Sequence, residues 1–252
     1  MVFPLGDDNS DRTMFPVVNV CLIVVNVLVF VLLQGFGTND SFTLAFSAVP
    51  AEIVSGRDVV TEDQQVQFQT KNGPAIVTVP GLKRTPIPVF LTLLTSIFMH
   101  GGLAHLAGNM WYLAIFGDNI EDRLGHVGFL LFYLLAGLVA AALHVAFNPG
   151  SEVPTVGASG AIAGVLGAYL VAFPRARVVT LVPLFPFFQV MALPAVLVLG
   201  FWIVMQFFSG ALALGYGGGG VAWWAHVGGF TFGVVIMWFM RGGRRRAPAL
   251  ER

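Results

Sequence analysis

The chain has 252 residues, of which 56% are hydrophobic, 13% aromatic and only 10% charged, and its mean hydropathy is +0.81. A soluble domain carries roughly 25% charged residues, so this composition excludes a soluble globular or disordered protein and leaves a polytopic helical membrane protein. The formal net charge is zero, which suggests no nucleic-acid partner, and the single cysteine, Cys21, excludes an intrachain disulfide.

The 13 basic and 13 acidic residues fall into clusters, and the charge-free stretches between them are candidate spans. The N-terminal segment 1–15 carries Asp7, Asp8, Asp11 and Arg12. The first span, 16–35, follows acidic residues and lacks a small-x-small cleavage pattern after it, so it reads as a retained helix. The segment 36–98 is the sizeable polar region, with five prolines and some alternation at Ala75–Val79. It is too long for a bare connector and is expected to be partly structured on the outer face. Further spans read as 103–117, 126–147, 159–173, 188–208 and 221–240. A crossing helix needs about 20 residues for a core of roughly 30 Å, so the second and fourth either borrow flanking residues or start below the surface. The segments 118–125 and 174–187 read as a turn and a loop. A basic tail, 241–252, closes the chain.

These spans predict an all-α fold: a polytopic bundle of six transmembrane helices, 16–240, with a long first outer loop. Six spans place both termini on one side. With the tail in the cytoplasm, nine of the thirteen basic residues are inside, as the positive-inside rule favours. The other four (Arg57, Lys71, Lys83, Arg84) lie in the long outer segment, where such residues count little. The expected location is the plasma (inner) membrane. The Gly-Gly-Arg-Arg-Arg run beside the last span reads as a membrane anchor in preference to a nucleic-acid patch.

Polar groups inside spans are costly and are functional candidates by default. Four stand out: His105 and Asn109 opening the second span, Ser159 opening the fourth, and His226 early in the sixth. Spans two, four and six all run from outside to inside, so the four residues share one depth, just below the outer surface. A serine hydroxyl needs a base to take its proton, and a neutral imidazole suits that task near pH 7. Asn109 follows His105 by four residues, so both share one helix face. An amide, an imidazole and the unpaired backbone N–H of Ser159 can each donate to a developing oxyanion. No Asp or Glu shares that depth, so the inventory allows a Ser-His dyad and not a triad. Gly160, Gly164 and Gly167 stripe span four, Gly229 and Gly233 stripe span six, and small stripes let helices approach closely.

Each residue also has a plainer role. A serine in an apolar helix usually bonds back to its own helix, and His105, Asn109 and His226 can be interhelical glue. Joint placement favours the dyad. His100 with His105 lacks an H-E-x-x-H pattern or a completing carboxylate, so no metal site is expected. His126 and His144 read as interface or packing residues. Asp118 lies at the opposite face without a second intramembrane Asp.

At these residues the sequence resembles the rhomboid family of intramembrane serine proteases. The resemblance covers about 85–240: Thr95-Ser-Ile-Phe-Met-His100-Gly-Gly, His105 with Asn109, Gly117-Asp-Asn-Ile-Glu121-Asp-Arg-Leu-Gly125, Gly157-Ala-Ser159-Gly160 and Ala225-His226-Val-Gly-Gly229. It implies a six-helix core with Ser159 as nucleophile, His226 as base, and His105 and Asn109 on the oxyanion side. Gly157, Gly160 and Gly229 would be structural glycines near the site. The implied reaction is hydrolysis of peptide bonds in or near transmembrane segments of protein substrates, without cofactor or metal, in a cavity open to the outer face. Two features depart from the family. Ala163 stands where some members stack an aromatic on the base, which leaves open what orients His226. The Trp-Arg pair of the first outer loop is not evident in 36–98. Glu121 is expected to link helices, and Gly217–Gly220 suits a flexible flap or a slack loop. Two other classes compete: a client-binding pseudoenzyme, which typically lacks one or both dyad residues, and a small transporter, which usually shows an acidic residue in a span.

Overall fold

The computed structural model describes residues 3–10, 12–70, 73–184, 187–216 and 222–240. The basic tail and the Gly217–Gly220 run lie outside the described residues.

Strand β1 (Phe3–Asp7) leads to helix α1 (Val17–Leu28), which begins after Pro16 and continues through a π-helical turn, Val29–Leu33. The buried residues of α1 are Asn19, Leu22 and Asn26, one face of the helix. Both amide nitrogens are bonded inside the bundle: Asn19 Nδ2 donates to the Leu113 carbonyl (3.1 Å) and Asn26 Nδ2 to that of Leu22 (2.7 Å). The segment 36–98 then folds as α2 (Asp40–Phe46), α3 (Pro50–Ser55) and an antiparallel hairpin of β2 (Gln64–Thr70) and β3 (Gly73–Val79). The Asn39 side chain caps α2 by accepting from the Phe42 N–H (3.1 Å). Residues 89–98 are helical again and include α4 (Thr92–Thr95); they meet α5 (Leu103–Leu124) at a 76° bend.

Helix α5 has 22 residues and runs straight through the charged cluster read as a turn. The charges are tolerated because the N-terminal segment and the start of α1 satisfy them. Arg12 pairs with Asp118 (2.5 Å). The Met14 N–H donates to Asp122 (2.7 Å), and the backbone N–H groups of Val18 and Asn19 donate to Glu121 (2.9 and 2.7 Å). Glu121 thus caps the first turn of α1, where unpaired N–H groups and the helix dipole favour a carboxylate. It also contacts His126 Nδ1 (2.5 Å). Gly125, at φ +75°, ends α5 and opens α6 (His126–Phe147).

Helix α7 (Ser159–Ala172) is the centre of the molecule, with eleven of its 14 residues buried. Its partners are α6 and α9 (Trp223–Met240). A Cβ added at Gly229 would collide with the Gly160 carbonyl, one at Gly233 with the Gly164 carbonyl, and one at Gly167 with the Phe230 carbonyl. The two glycine stripes therefore meet backbone to backbone.

The chain is mostly helical, but the all-α expectation fails at one end of the bundle and in the segment 36–98. Residues 177–194, assigned to a loop and the start of the fifth span, form strands β4 (Arg177–Leu184) and β5 (Phe187–Pro194). With β1 they make a three-stranded antiparallel sheet, order β1-β4-β5, in which Phe3 faces Leu181 and Arg177 faces Pro194. The fifth helix, α8 (Ala195–Tyr216), begins seven residues later than expected. A continuous apolar run does not distinguish buried strand from helix by hydropathy; Pro194 marks the boundary, because proline restrains the residue before it from the helical region. Among the described residues three helices are long and apolar enough to cross a membrane: α6, α9 and the Ala195–Leu212 part of α8. The bent pair 89–98 and α5 makes a fourth, and Val17–Leu33 and α7 are shorter apolar helices.

The N-terminal segment is not a free tail. Trp111 Nε1 donates to the Pro4 carbonyl (2.7 Å), Asn119 Nδ2 to Asp7 (2.8 Å) and the Tyr169 hydroxyl to Asp7 (2.6 Å). Burial, with Asp118 and Asp8 nearby, pushes the Asp7 carboxyl up to about 6 despite the Tyr169 hydrogen bond. Its folded-state value lies above the ordinary 3.8, so its contribution to stability is full below that value and is lost as pH rises through the folded value. Asp7→Asn should melt above wild type at pH 7.5, with the gap closing toward pH 4; a gap independent of pH would contradict the assignment. Gly233→Ala should destabilise the bundle by about 1–3 kcal/mol, the usual range for overpacking, read as a lower melting temperature in detergent. An unchanged melt would show that α7 and α9 are not in backbone contact.

Candidate active site

Ser159 is the first residue of α7, and the loop before it is fastened on two sides. Ala48 and Thr155 exchange backbone hydrogen bonds (3.1 and 2.9 Å), and the Gly157 N–H donates to the Ser96 carbonyl (2.9 Å). Gly157 has φ +133°, a conformation that side chains rarely adopt. His226 is the fourth residue of α9. The close contact of α7 with α9 brings the two together: Ser159 Oγ lies 2.8 Å from His226 Nε2. Of the sequence-predicted pairings, this one is made directly.

His105 and Asn109 stand on one face of α5 near its start. The Gly101 N–H donates to His105 Nδ1 (3.3 Å), so in the neutral ring Nε2 carries the proton and is free to donate. The His105 ring lies directly against Gly157: a Cβ there would come within 2.8 Å of His105 Cε1, 3.0 Å of its Nε2 and 3.6 Å of Ser159 Oγ. Asn109 is buried, and its Nδ2 has no hydrogen-bond partner among the described residues. A buried amide donor without a partner costs roughly 1–3 kcal/mol, the kind of cost kept for a group that something else completes. The N–H groups at the start of α7 are likewise unpaired by helix geometry. His105 on α5 and the first N–H groups of α7 thus stand beside Ser159.

A cavity of about 30 Å³ adjoins Ser159, lined among others by Ser96, His144, Thr155 and Gly157. That volume admits water. His144, read from sequence as a packing residue, lines this cavity with Nδ1 buried and unpartnered among the described residues. His100 is fully buried, edge-on to the His105 ring at 5.2 Å. Its backbone is clamped by Gln34, whose Oε1 accepts from the His100 N–H and whose Nε2 donates to the His100 carbonyl, both at 2.9 Å. Among the described residues no three His, Cys, Asp or Glu side chains group as a metal site would need.

The other contacts of His226 were not foreseen. Its Nδ1 lies 2.7 Å from Gln206 Oε1 on α8, and the rings of Trp202 and Trp223 stand 5.7 and 6.2 Å away. Gln206 was legible by the rule that found Asn109: it is a strongly polar side chain inside an apolar span. Ala163 is fully buried and presents only a methyl group.

A model of the rhomboid domain matches residues 89–243. The chain belongs to the rhomboid family. The matched part of this rhomboid holds α5 to α9, and with them Ser159, His226, His105, Asn109 and Gln206. The mitochondrial presenilin-associated rhomboid-like protein of Bos taurus is 32% identical over 181 residues, covering 66% of this chain and 44% of the relative. Rhomboid protease GluP of Bacillus subtilis (strain 168) is 46% identical over 78 residues, 31% of this chain and 15% of that protein. The mitochondrial RHOMBOID-like protein 6 of Arabidopsis thaliana is 38% identical over 78 residues, 31% of this chain and 25% of the relative. The rhomboid thus spans less than half the length of the relatives it matches.

Proposed function

We propose that this rhomboid is a serine-type intramembrane endopeptidase that hydrolyses peptide bonds in or near transmembrane segments of membrane proteins. The observation that carries it is the 2.8 Å contact between Ser159 Oγ and His226 Nε2 at the shared end of α7 and α9. Membership of a family that includes a relative named as a protease supports it.

In the proposed mechanism His226 Nε2 takes the hydroxyl proton as Ser159 Oγ attacks the scissile carbonyl carbon. In this mechanism the oxygen that gains the charge accepts from Asn109 Nδ2, His105 Nε2–H and the N-terminal N–H of α7. Collapse of the tetrahedral intermediate breaks the C–N bond, and His226 returns its proton to the leaving amine. Water from the cavity beside Ser159 then attacks the acyl-enzyme as His226 takes its proton; the C–Oγ bond breaks, His226 passes the proton to Ser159 Oγ, and the new carboxyl end is released.

Helix α7 spans about 21 Å at 1.5 Å per residue, short of a hydrocarbon core of roughly 30 Å. A short central helix ringed by longer ones sets Ser159 below the membrane surface, where irregular backbone and water are tolerated only inside protein. The proposed topology has six crossings, both termini in the cytoplasm of a plasma membrane, and the site open to the outer face. The excess of basic residues in the segments so placed inside supports it.

Ser159→Ala and His226→Ala should each abolish cleavage of a model transmembrane substrate while leaving the melting temperature within a few degrees of wild type. The double variant should lose little more than either single one, because the pair acts as a unit. A Ser159→Ala protein that cleaves at wild-type rate would refute the mechanism. A wild type that binds substrate without cutting it would favour a client-binding pseudoenzyme. Asn109→Ala should lower kcat roughly 10–1000-fold, the scale for one lost oxyanion donor, measured by initial rates at saturating substrate. An unchanged kcat would remove Asn109 from the oxyanion site.

A further inference from the structure

We propose that Gln206 is the positioning residue of this site: its side-chain carbonyl holds the His226 proton on Nδ1 and so keeps Nε2 free to accept from Ser159. The inference rests on the proposed protease function for its kinetic consequences, while its structural core is a statement about one imidazole.

A neutral imidazole carries one proton, and which nitrogen holds it is set by the hydrogen bond made at the other. Gln206 Oε1 is an acceptor only. Its 2.7 Å contact with His226 Nδ1 therefore requires Nδ1–H as donor, and the lone pair is left on Nε2, 2.8 Å from Ser159 Oγ. With the proton on Nε2 the ring would donate to the serine and could not act as its base. The same bond fixes the ring plane, since both nitrogens are held at once along one line from α8 to α7.

Nothing else among the described residues in contact with the ring does this task. Trp202 and Trp223 wall it at 5.7 and 6.2 Å, and an indole N–H is a donor without acceptor capacity. Ala163 on α7 offers only a methyl group. Helix α8 is built to deliver the amide. Its buried residues Leu199 and Gln206 lie two turns apart, with half-buried Trp202 between them, so one face of α8 points to α9. The opposite face, with Val204 and Phe208 exposed, is apolar. An amide turned inward from such a helix is costly unless it is bonded, and its bond is to the base.

Two measurements test this. Nitrogen-15 NMR of histidine-labelled Ser159→Ala protein in micelles at neutral pH should show His226 with a protonated, pyrrole-type Nδ1 and a pyridine-type Nε2. A proton on Nε2 would overturn the proposal, whatever the enzyme cleaves. In the active protein, Gln206→Met keeps the length and removes the acceptor. It should lower kcat about 10–100-fold, the loss typical when an outer partner of a working histidine is removed, with KM changed less than about threefold. Loss of a tautomer-fixing carboxylate in a full triad costs about 10⁴; a neutral amide, which fixes the ring without a full charge, should cost less. Gln206→Glu retains an acceptor oxygen and should recover most of the lost kcat. A Gln206→Met rate within twofold of wild type, or a folded Gln206→Glu as slow as Gln206→Met, would show that the amide only packs. A Gln206→Met variant that does not fold leaves the NMR result and Gln206→Glu to decide.

Discussion

The backbone contact between α7 and α9 is the constraint on which the site depends. Gly229 and Gly233 on α9 and Gly167 on α7 each lie against a carbonyl of the other helix, while Gly160 and Gly164 leave room for Ala140 and Ala136 of α6. In lipid no hydrophobic gain drives helices together, so close packing and polar contacts must hold them. An ordinary interhelical distance of 8–10 Å would leave the serine and the imidazole separated by side chains. Here the helices close until carbonyl oxygens fill the glycine spaces, and the first residue of α7 reaches the fourth of α9 at hydrogen-bond distance. The glycines are thus as much a part of the site as the polar residues they bring together.

Around that contact the other helices supply what the pair lacks. Helix α5 contributes His105 and Asn109, whose Nδ2 has no partner among the described residues, and α8 contributes Gln206 behind His226. The far end of α5 is held by charges. Glu121 caps α1, Asp118 pairs with Arg12, and Asn119 reaches Asp7 of the N-terminal strand. Polar interactions at one end anchor the helices, and polar groups at the other are left open for chemistry. Among the described residues the buried carboxylates Asp118 and Glu121 fasten the N-terminal segment to the bundle, and a third, Glu52, lies in α3.

The parts legible in the sequence were those carried by local pattern. Charge-free stretches gave the helices, with α6 and α7 placed to within a residue. Span parity grouped Ser159, His226, His105 and Asn109 at one level, and the structure joins Ser159 to His226 and sets His105 against Gly157. The glycine stripes gave a reason for α7 and α9 to touch. What stayed hidden depended on long-range pairing. The β4–β5 hairpin is as apolar as the helix that follows it, and only its partner β1, more than 170 residues earlier in the chain, reveals it as sheet. The charged end of α5 looked like a turn because its neutralising partners, Arg12 and the first N–H groups of α1, are about 100 residues away. Gln206 was missed for a different reason: it lies deep in its span, away from the layer of helix starts on which attention fell.

The central claim is that Ser159 is a nucleophile activated by His226, and reaction with a fluorophosphonate tests it most directly. Purified wild-type protein in detergent should be labelled covalently, with the adduct mapped by mass spectrometry to Ser159 alone, and His226→Ala should label far more slowly at the same protein concentration and pH. Labelling that is absent from the folded wild type, or that persists unchanged in His226→Ala, would contradict the account.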